Sequence, residues 1–124
     1  MKKPTDRATR HLTLLSALLI AAALATPASA DDPAYVGTWA GDLEQCKTPQ
    51  EQQGAPMVIA KDRYDQHEAH CEFKSVEGTP PDWKINAECT VEGNPQPMEF
   101  AFTVSGDTLT IKDDTGTQDL LKCP

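Results

Sequence analysis

Apolar and polar residues alternate one by one through the second half of this 124-residue chain. In residues 83–91 (WKINAECTV), apolar side chains or cysteine occupy every second position, and polar side chains lie between them. The segments that begin at Met98 and Leu109 repeat this pattern. Side chains of a β-strand point alternately to opposite faces, so the pattern predicts strands with one buried and one solvated face. Residues 31–124 carry no apolar stripe at helical spacing, and we therefore expect an all-β fold.

Turn-forming residues separate these segments at intervals of about 8–12 residues, as in small all-β domains. The predicted strands lie at residues 35–43, 57–60, 67–76, 83–91, 98–104, 108–112 and 117–123. In the first strand, Tyr35, Trp39 and Leu43 would share the buried face, whereas residues 61–66 are polar and turn-like. Roughly seven short strands predict an antiparallel meander, folded as a sandwich or, as we expect, closed as a small barrel.

The first 30 residues have the three-part layout of a secretory signal peptide. Residues 1–11 are polar and basic, residues 12–25 are apolar, and Ala28-Ser29-Ala30 provides a cleavage site. A membrane-spanning helix needs about 20 apolar residues, and this apolar run is shorter. We therefore expect one domain, residues 31–124, in a periplasm or outside the cell and without membrane attachment.

All four cysteines, Cys46, Cys71, Cys89 and Cys123, lie in the predicted domain. An even number of cysteines in a small exported chain predicts disulfides. The spacing also lacks the C-x-x-C pairs of zinc knuckles. Large apolar residues are few, so two bridges of about 2–4 kcal/mol each would decide whether the domain folds.

The strand pattern favours one of the three possible disulfide pairings. Cys71 and Cys89 face inward on consecutive strands, and a hairpin folded at Thr79 and Pro80 places position 71 opposite 88 or 89. A Cys71–Cys89 bridge leaves Cys46–Cys123, which would fasten the first strand to the last like a clasp. The other two pairings stay open at this point.

The charge of the predicted domain limits its partners. Residues 31–124 hold 18 acidic and 7 basic residues, a formal charge of −11. Nucleic acids and anionic lipids bind basic surfaces, so we expect neither as a partner. An acidic surface instead favours a basic partner protein, which electrostatic attraction would steer towards it.

One segment carries residues that could bind a metal ion. His67, Glu68 and His70 spell H-E-x-H, and Asp65 lies just before them. If this segment is a loop, Asp65, His67 and His70 could converge on zinc or copper. If it is a strand, the two imidazoles point to opposite faces, and we favour this interpretation, so we predict no firm metal site and no cofactor.

Motifs of catalysis are missing from the predicted domain. Ser75 and Ser105 lie in no G-x-S-x-G elbow, and no glycine-rich phosphate loop is present. Residues 113–119 (DDTGTQD) alternate oxygen-bearing side chains as calcium loops do, but turn chemistry accounts for them. We therefore expect a protein that is not an enzyme.

The start of the first predicted strand resembles a known signature. Gly37-Thr38-Trp39 is similar to the G-x-W motif of lipocalins, and avidins and the small periplasmic inhibitors of secreted metalloproteases begin in the same way. Residues 104–116 look like the closing hairpin of such barrels. The resemblance implies an antiparallel barrel in which Trp39 plugs one end. The whole domain, with its D-Q-H-E-A-H-C segment, also resembles small exported proteins of unassigned function from alphaproteobacteria.

The chain departs from lipocalins in three respects. It is shorter, it lacks a T-D-Y motif, and no arginine near its C-terminus covers the tryptophan, where only Lys122 is available. We expect Trp39 to be buried beneath the last strand near Leu121, with Gly37 leaving room for that strand. We expect Trp83 to be more exposed.

These observations leave several hypotheses for an exported binding protein. A small-molecule carrier would line a cavity with aromatic residues, namely Trp39, Trp83, Phe100 and Phe102. An inhibitor of a secreted hydrolase, such as a protease or lysozyme, would instead present the polar loop of residues 46–56. A metal-binding protein would use His67 and His70. A cavity favours the first hypothesis, and a filled core with a protruding loop favours the second.

The leader yields the first testable prediction. Export should remove residues 1–30, because Ala28 and Ala30 meet the small-residue requirement of signal peptidase. Intact-mass measurement of the exported protein is expected to show Asp31 at the N-terminus. A mass that retains the leader would contradict the prediction.

Overall fold

A computed structural model describes residues 31–124 and shows eight antiparallel strands closed into a barrel. Each strand pairs with the next along the chain, and the eighth pairs with the first. The strands are β1 Gly37–Ala40, β2 Met57–Ile59, β3 Arg63–Gln66, β4 Ala69–Thr79, β5 Asp82–Val91, β6 Asn94–Ser105, β7 Thr108–Asp113 and β8 Gly116–Lys122. A single 3-10 turn, Gln45–Lys47, interrupts the loop between β1 and β2. The predicted all-β meander barrel is confirmed, with eight strands where about seven were expected.

The additional strand is β3, in a segment that the sequence predicted to be a turn. Its only large apolar side chain, Tyr64, points inward and is buried, while its polar neighbours leave no alternating pattern to detect. The predicted strand of residues 67–76 therefore begins later, at Ala69. His67 and Glu68 form the tight turn between β3 and β4, and His67 adopts a left-handed backbone with φ of 22°.

The first strand is shorter than predicted. Tyr35 and Trp39 are buried as expected, but β1 ends at Ala40, and Leu43 is 57% exposed. The Asp42 carboxylate accepts a hydrogen bond from the Gln45 N–H at 2.8 Å, which turns the chain away from the barrel. The expectation that Leu43 faces the core is therefore wrong.

The inward residues of β5 and β6 fill the barrel as their alternation predicted. Trp83 lies opposite Phe102, and Ile85 lies opposite Phe100, with all four side chains buried. The Tyr35 ring packs edge-on against Trp83 and Phe102, with centroids 5.1 and 5.6 Å apart. Such pairs stabilise a fold by about 0.5–1.5 kcal/mol each beyond the burial of their area.

Trp39 is fully buried where β1 meets β8. Its indole N–H donates a 2.8 Å hydrogen bond to the Tyr35 carbonyl oxygen, so this buried donor is paired. The Lys122 ammonium covers the ring at 5.6 Å from its centroid. A Cβ on Gly37 would lie 3.3 Å from the Lys122 side chain, and the φ of 151° there also favours glycine. Gly37 thus makes room for the residue that covers Trp39.

Near Trp39, the Leu121 side chain points outward and is 42% exposed, while Leu120 fills the core. One expectation about this end of the barrel, the exposure of Trp83, is wrong. Trp83 is only 6% exposed, since the Tyr35 ring lies against it. Its position at the start of a strand suggested exposure, but Tyr35 comes from a distant part of the chain.

Both predicted disulfides are present. Cys71 and Cys89 are direct partners in the β4–β5 ladder, and their bridge crosses this hairpin. Cys46 in the 3-10 turn is bonded to Cys123, whose N–H donates to the Thr38 carbonyl oxygen at 2.8 Å. The second bridge therefore fastens the β1–β2 loop to the seam between β1 and β8.

The predicted leader, residues 1–30, lies outside the described residues, so its cleavage after Ala30 stays a prediction. Within residues 31–124, no helix has the length and apolar character needed to cross a membrane. Two disulfides are typical of proteins in oxidising compartments, which agrees with the export that the leader predicts.

Truncating the tryptophan at the seam should unfold the domain. Trp39→Ala removes a fully buried indole, a change that costs about 3–5 kcal/mol, comparable to the whole stability of a small domain. Trp39→Phe should stay folded but melt at a lower temperature, because it loses the hydrogen bond to Tyr35. Thermal melts followed by circular dichroism test both variants, with exposed Val76→Ala as control. An unchanged melt for Trp39→Ala would contradict the plug role.

Candidate functional site

The predicted metal-binding residues lie at the β3–β4 hairpin. Asp65 is the direct cross-strand partner of His70, and its carboxylate lies 2.9 Å from His70 Nδ1. The other Asp65 oxygen lies 3.5 Å from the Arg63 guanidinium. Two of the three predicted ligands are thus brought together on the outer face of the barrel.

His67 is not part of this pair. It lies at the tip of the hairpin, with Nδ1 3.4 Å from the Gln50 carbonyl oxygen and Nε2 3.9 Å from the Glu68 carboxylate. The tight turn directs its ring towards the β1–β2 loop, whereas Asp65 and His70 face each other across the strands. In the described part of the chain, no three histidine, cysteine or carboxylate side chains are placed to hold a metal ion.

In the oxygen-rich turn after β7, the Asp113 carboxylate accepts hydrogen bonds from groups of the turn itself. One Asp113 oxygen accepts hydrogen bonds from the Thr115 hydroxyl at 2.6 Å and from two backbone N–H groups, of Thr115 and Gly116. The Thr115 hydroxyl and these N–H groups hold the pKa of Asp113 below its usual value. Asp119 accepts a bond from the Thr110 hydroxyl on the neighbouring strand. The turn is therefore explained by its internal hydrogen bonds.

The barrel interior is a packed core. The four residues proposed to line a carrier cavity are between 0 and 6% exposed, namely Trp39, Trp83, Phe100 and Phe102. Among residues 31–124 no polar or charged residue is buried, whereas a ligand cavity needs a few inward polar groups to orient its ligand. The arrangement gives these aromatic residues the role of core filling.

A depression lies mainly over the outer face of the barrel. It is an open groove of about 1210 Å³ across β5, β6 and β7. Lys84, Ala101 and Lys112 are neighbours across these three strands, and the small Ala101 side chain leaves space between the two lysines. Sequence reasoning missed this groove because outward residues of a strand were interpreted as a solvated face.

The loop of residues 46–56 was the predicted contact with a partner protein, and the structure shows how it is held. Ala55 is fully buried, and its carbonyl oxygen accepts bonds from Gln45 Nε2 at 3.3 Å and Gln66 Nε2 at 2.9 Å. Gln50 Nε2 donates to the Pro56 carbonyl oxygen at 2.8 Å. The bridge at Cys46 fixes the other end of the loop. Residues 49–54 are therefore exposed on a backbone that is tied at both ends.

The chain matches no protein-family model, no curated protein and no solved structure. The closed antiparallel barrel agrees with the fold that the resemblance to lipocalins implies.

The two tyrosines should make the barrel sensitive to alkali. Burial, together with the nearby Asp113 carboxylate, raises the pKa of Tyr64 above 10.0, and burial with Asp62 does the same for Tyr35. The tyrosine hydroxyls therefore ionise at a higher pH in the folded protein than in the unfolded chain. The free energy of unfolding is unaffected below pH 10 and falls as the pH rises further.

Absorbance at 295 nm should show tyrosinate forming above pH 10, together with a falling melting temperature. Tyr64→Phe should weaken this pH dependence of the melting temperature. A midpoint at or below pH 10 in the folded protein would contradict the prediction.

Proposed function

We propose that this chain is an exported, non-enzymatic binding protein that engages a partner protein with its outer surface. The observation that carries the proposal is the filled interior. Its rings pack edge to face, and among the described residues no charged, amide or imidazole side chain is buried, while the buried Tyr35 hydroxyl already donates to the Lys61 carbonyl oxygen. A carrier would need a cavity, so the recognition surface must lie outside the barrel.

We propose that the likeness to lipocalins extends to the barrel and to its tryptophan plug, but not to a ligand cup. Trp39 closes one end beneath Lys122, as the resemblance implied for that tryptophan. At the level of the core, Tyr35 and Trp83 occupy space that a carrier would leave open. The shared feature is thus architectural.

The identity of the groups with shifted pKa values supports a non-enzymatic function. In the described residues the resolved shifts belong to Tyr35, Tyr64 and Asp113, and burial or a local turn explains each of them. Catalytic acids and bases usually occur as perturbed pairs in a cleft. Asp62 contributes to the shift of Tyr35 and Asp113 to that of Tyr64, but burial is the larger cause for both tyrosines, and a histidine contributes to none of the three shifts.

The loop of residues 46–56 supplies the contact in this proposal. Its backbone is tied by Cys46, Gln50 and Ala55, so little conformational entropy is lost when a partner binds. The formal charge of −11 over residues 31–124 favours a basic partner and speeds its approach. An inhibitor of a basic secreted hydrolase, such as a protease or a lysozyme, fits both properties.

Two charge reversals separate a loop contact from general electrostatic attraction. Residues 31–124 are immobilised, and the soluble exported proteins of the native host are passed over them. Glu51→Lys places a cation in the exposed loop, while Glu99→Lys makes the same net change on β6, in the outer groove. We expect Glu51→Lys to weaken retention of a basic protein about tenfold, or about 1.4 kcal/mol, and Glu99→Lys to have little effect.

A second measurement addresses the carrier hypothesis directly. The apolar dye anilinonaphthalene sulfonate should show no saturable binding to the folded protein, because the core is full. Saturable dye binding that small apolar molecules displace, with no protein retained, would contradict the proposed function and favour a carrier.

A further inference from the structure

Four large aliphatic side chains are exposed in the described residues, and three of them lie around one disulfide. Leu43 is 57% exposed, Leu121 42% and Val58 37%, and the fourth, Val76, lies apart on β4. Single exposed aliphatic residues are normal on protein surfaces, but a group of them marks a contact site. We call Leu43, Val58 and Leu121, together with the Cys46–Cys123 bridge, the clasp patch.

The strand register brings Val58 and Leu121 to this bridge. Val58 is the direct partner of Thr38, whose carbonyl oxygen accepts the Cys123 N–H at 2.8 Å. Leu121 precedes Cys123 by two residues on the outward face of the last strand, a separation of about 7 Å. Both side chains therefore flank the half-buried Cys123.

Leu43 lies in the loop that carries Cys46, the other half of the bridge. It lies three residues before Cys46, in a turn held by two hydrogen bonds between Gln45 and the segment Gly41–Asp42, of 2.7 and 2.8 Å. The Cys46 sulfur lies 3.7 Å from the Asp42 carbonyl oxygen. A disulfide and two side-chain hydrogen bonds thus fix the backbone that carries Leu43.

The fold covers one part of this outward surface and leaves the rest open. Ala40 is the cross-strand partner of Leu121 and shares its outward orientation, but Ala40 is fully buried because the 3-10 turn packs over β1. Leu121 on β8 and Val58 on β2, the strands on either side of β1, stay exposed. The clasp patch is therefore a surface that the domain itself does not complete.

Carboxylates surround the clasp patch. Asp42 and Glu44 flank Leu43, and Asp119 lies on the outward face two residues before Leu121. Of the nearby cations, Lys47 contacts Glu44 at 2.9 Å, and the Lys122 ammonium lies over the Trp39 ring. An apolar centre with an acidic rim complements a partner with an apolar depression and a basic rim.

We propose that the clasp patch is the apolar centre of the interface with a basic partner protein. The inference rests on the proposed function and adds to it the surface that provides most of the affinity, since interfaces depend on a few well-packed apolar anchors. A second copy of this chain is the less favoured occupant, because two acidic rims would face each other.

Substitutions to small polar residues of unchanged charge test the patch. The double variant Leu43→Ser with Leu121→Ser removes its two most exposed aliphatic groups, and Val76→Ser removes a similar exposed group elsewhere. Each immobilised variant meets the same soluble exported proteins, retained proteins are identified by mass spectrometry, and their affinities are measured by calorimetry after purification. Circular dichroism and thermal melts confirm folding of each variant.

We expect the wild type and Val76→Ser to retain the same basic protein, and the double variant to bind it at least about tenfold more weakly. Equal binding by the double variant would overturn the clasp patch and leave the proposed function intact if Glu51→Lys still reduces retention. Retention of no protein, or only of acidic proteins, would overturn both. A wild-type dimer in sedimentation that the double variant abolishes would identify the patch as a self-interface and overturn the proposal of a basic partner.

Discussion

The seam between β1 and β8 holds the barrel together, and Trp39 lies buried beneath it. The indole hydrogen-bonds to Tyr35 and lies under Lys122, so one side chain links the segment before β1 to the end of β8. The Cys46–Cys123 bridge fastens the same seam from outside. Closure removes the free strand edges that would otherwise attract other chains, so the remaining seven strand pairs depend on this contact.

A closed and filled barrel restricts recognition to side chains that point outward and to loops. Partners cannot add a strand to the sheet, because every strand of the described domain has two neighbours. A ligand cannot enter a core whose residues are packed ring against ring. The loop after β1, the outer groove across β5, β6 and β7 and the aliphatic group around Cys123 are thus surfaces that the architecture leaves available for contact.

The sequence predicted those parts of the fold that depend on local alternation and failed where distant residues decide. The alternation of apolar and polar residues predicted which side chains of β5 and β6 point inward. The hairpin turn between β4 and β5 predicted both disulfides, and the G-x-W motif predicted the burial of Trp39. Strand β3 was missed because a single inward tyrosine gives no periodic signal. The candidate surfaces were predicted only in part, since the loop was visible as a polar segment but the exposure of Leu43 depends on a turn made by Asp42 and Gln45.

The order of the cysteines along the chain has a consequence for biogenesis. One bridge spans 77 residues and encloses the other, which spans 18, so Cys46 and Cys71 both precede their partners. An oxidant that joined thiols in order of emergence from a translocation channel would link these two wrongly. Correct pairing then requires either that the β4–β5 hairpin assembles before oxidation or that an isomerase reshuffles the first bond. If the hairpin does not assemble first, production in hosts without isomerase activity should accumulate scrambled monomers.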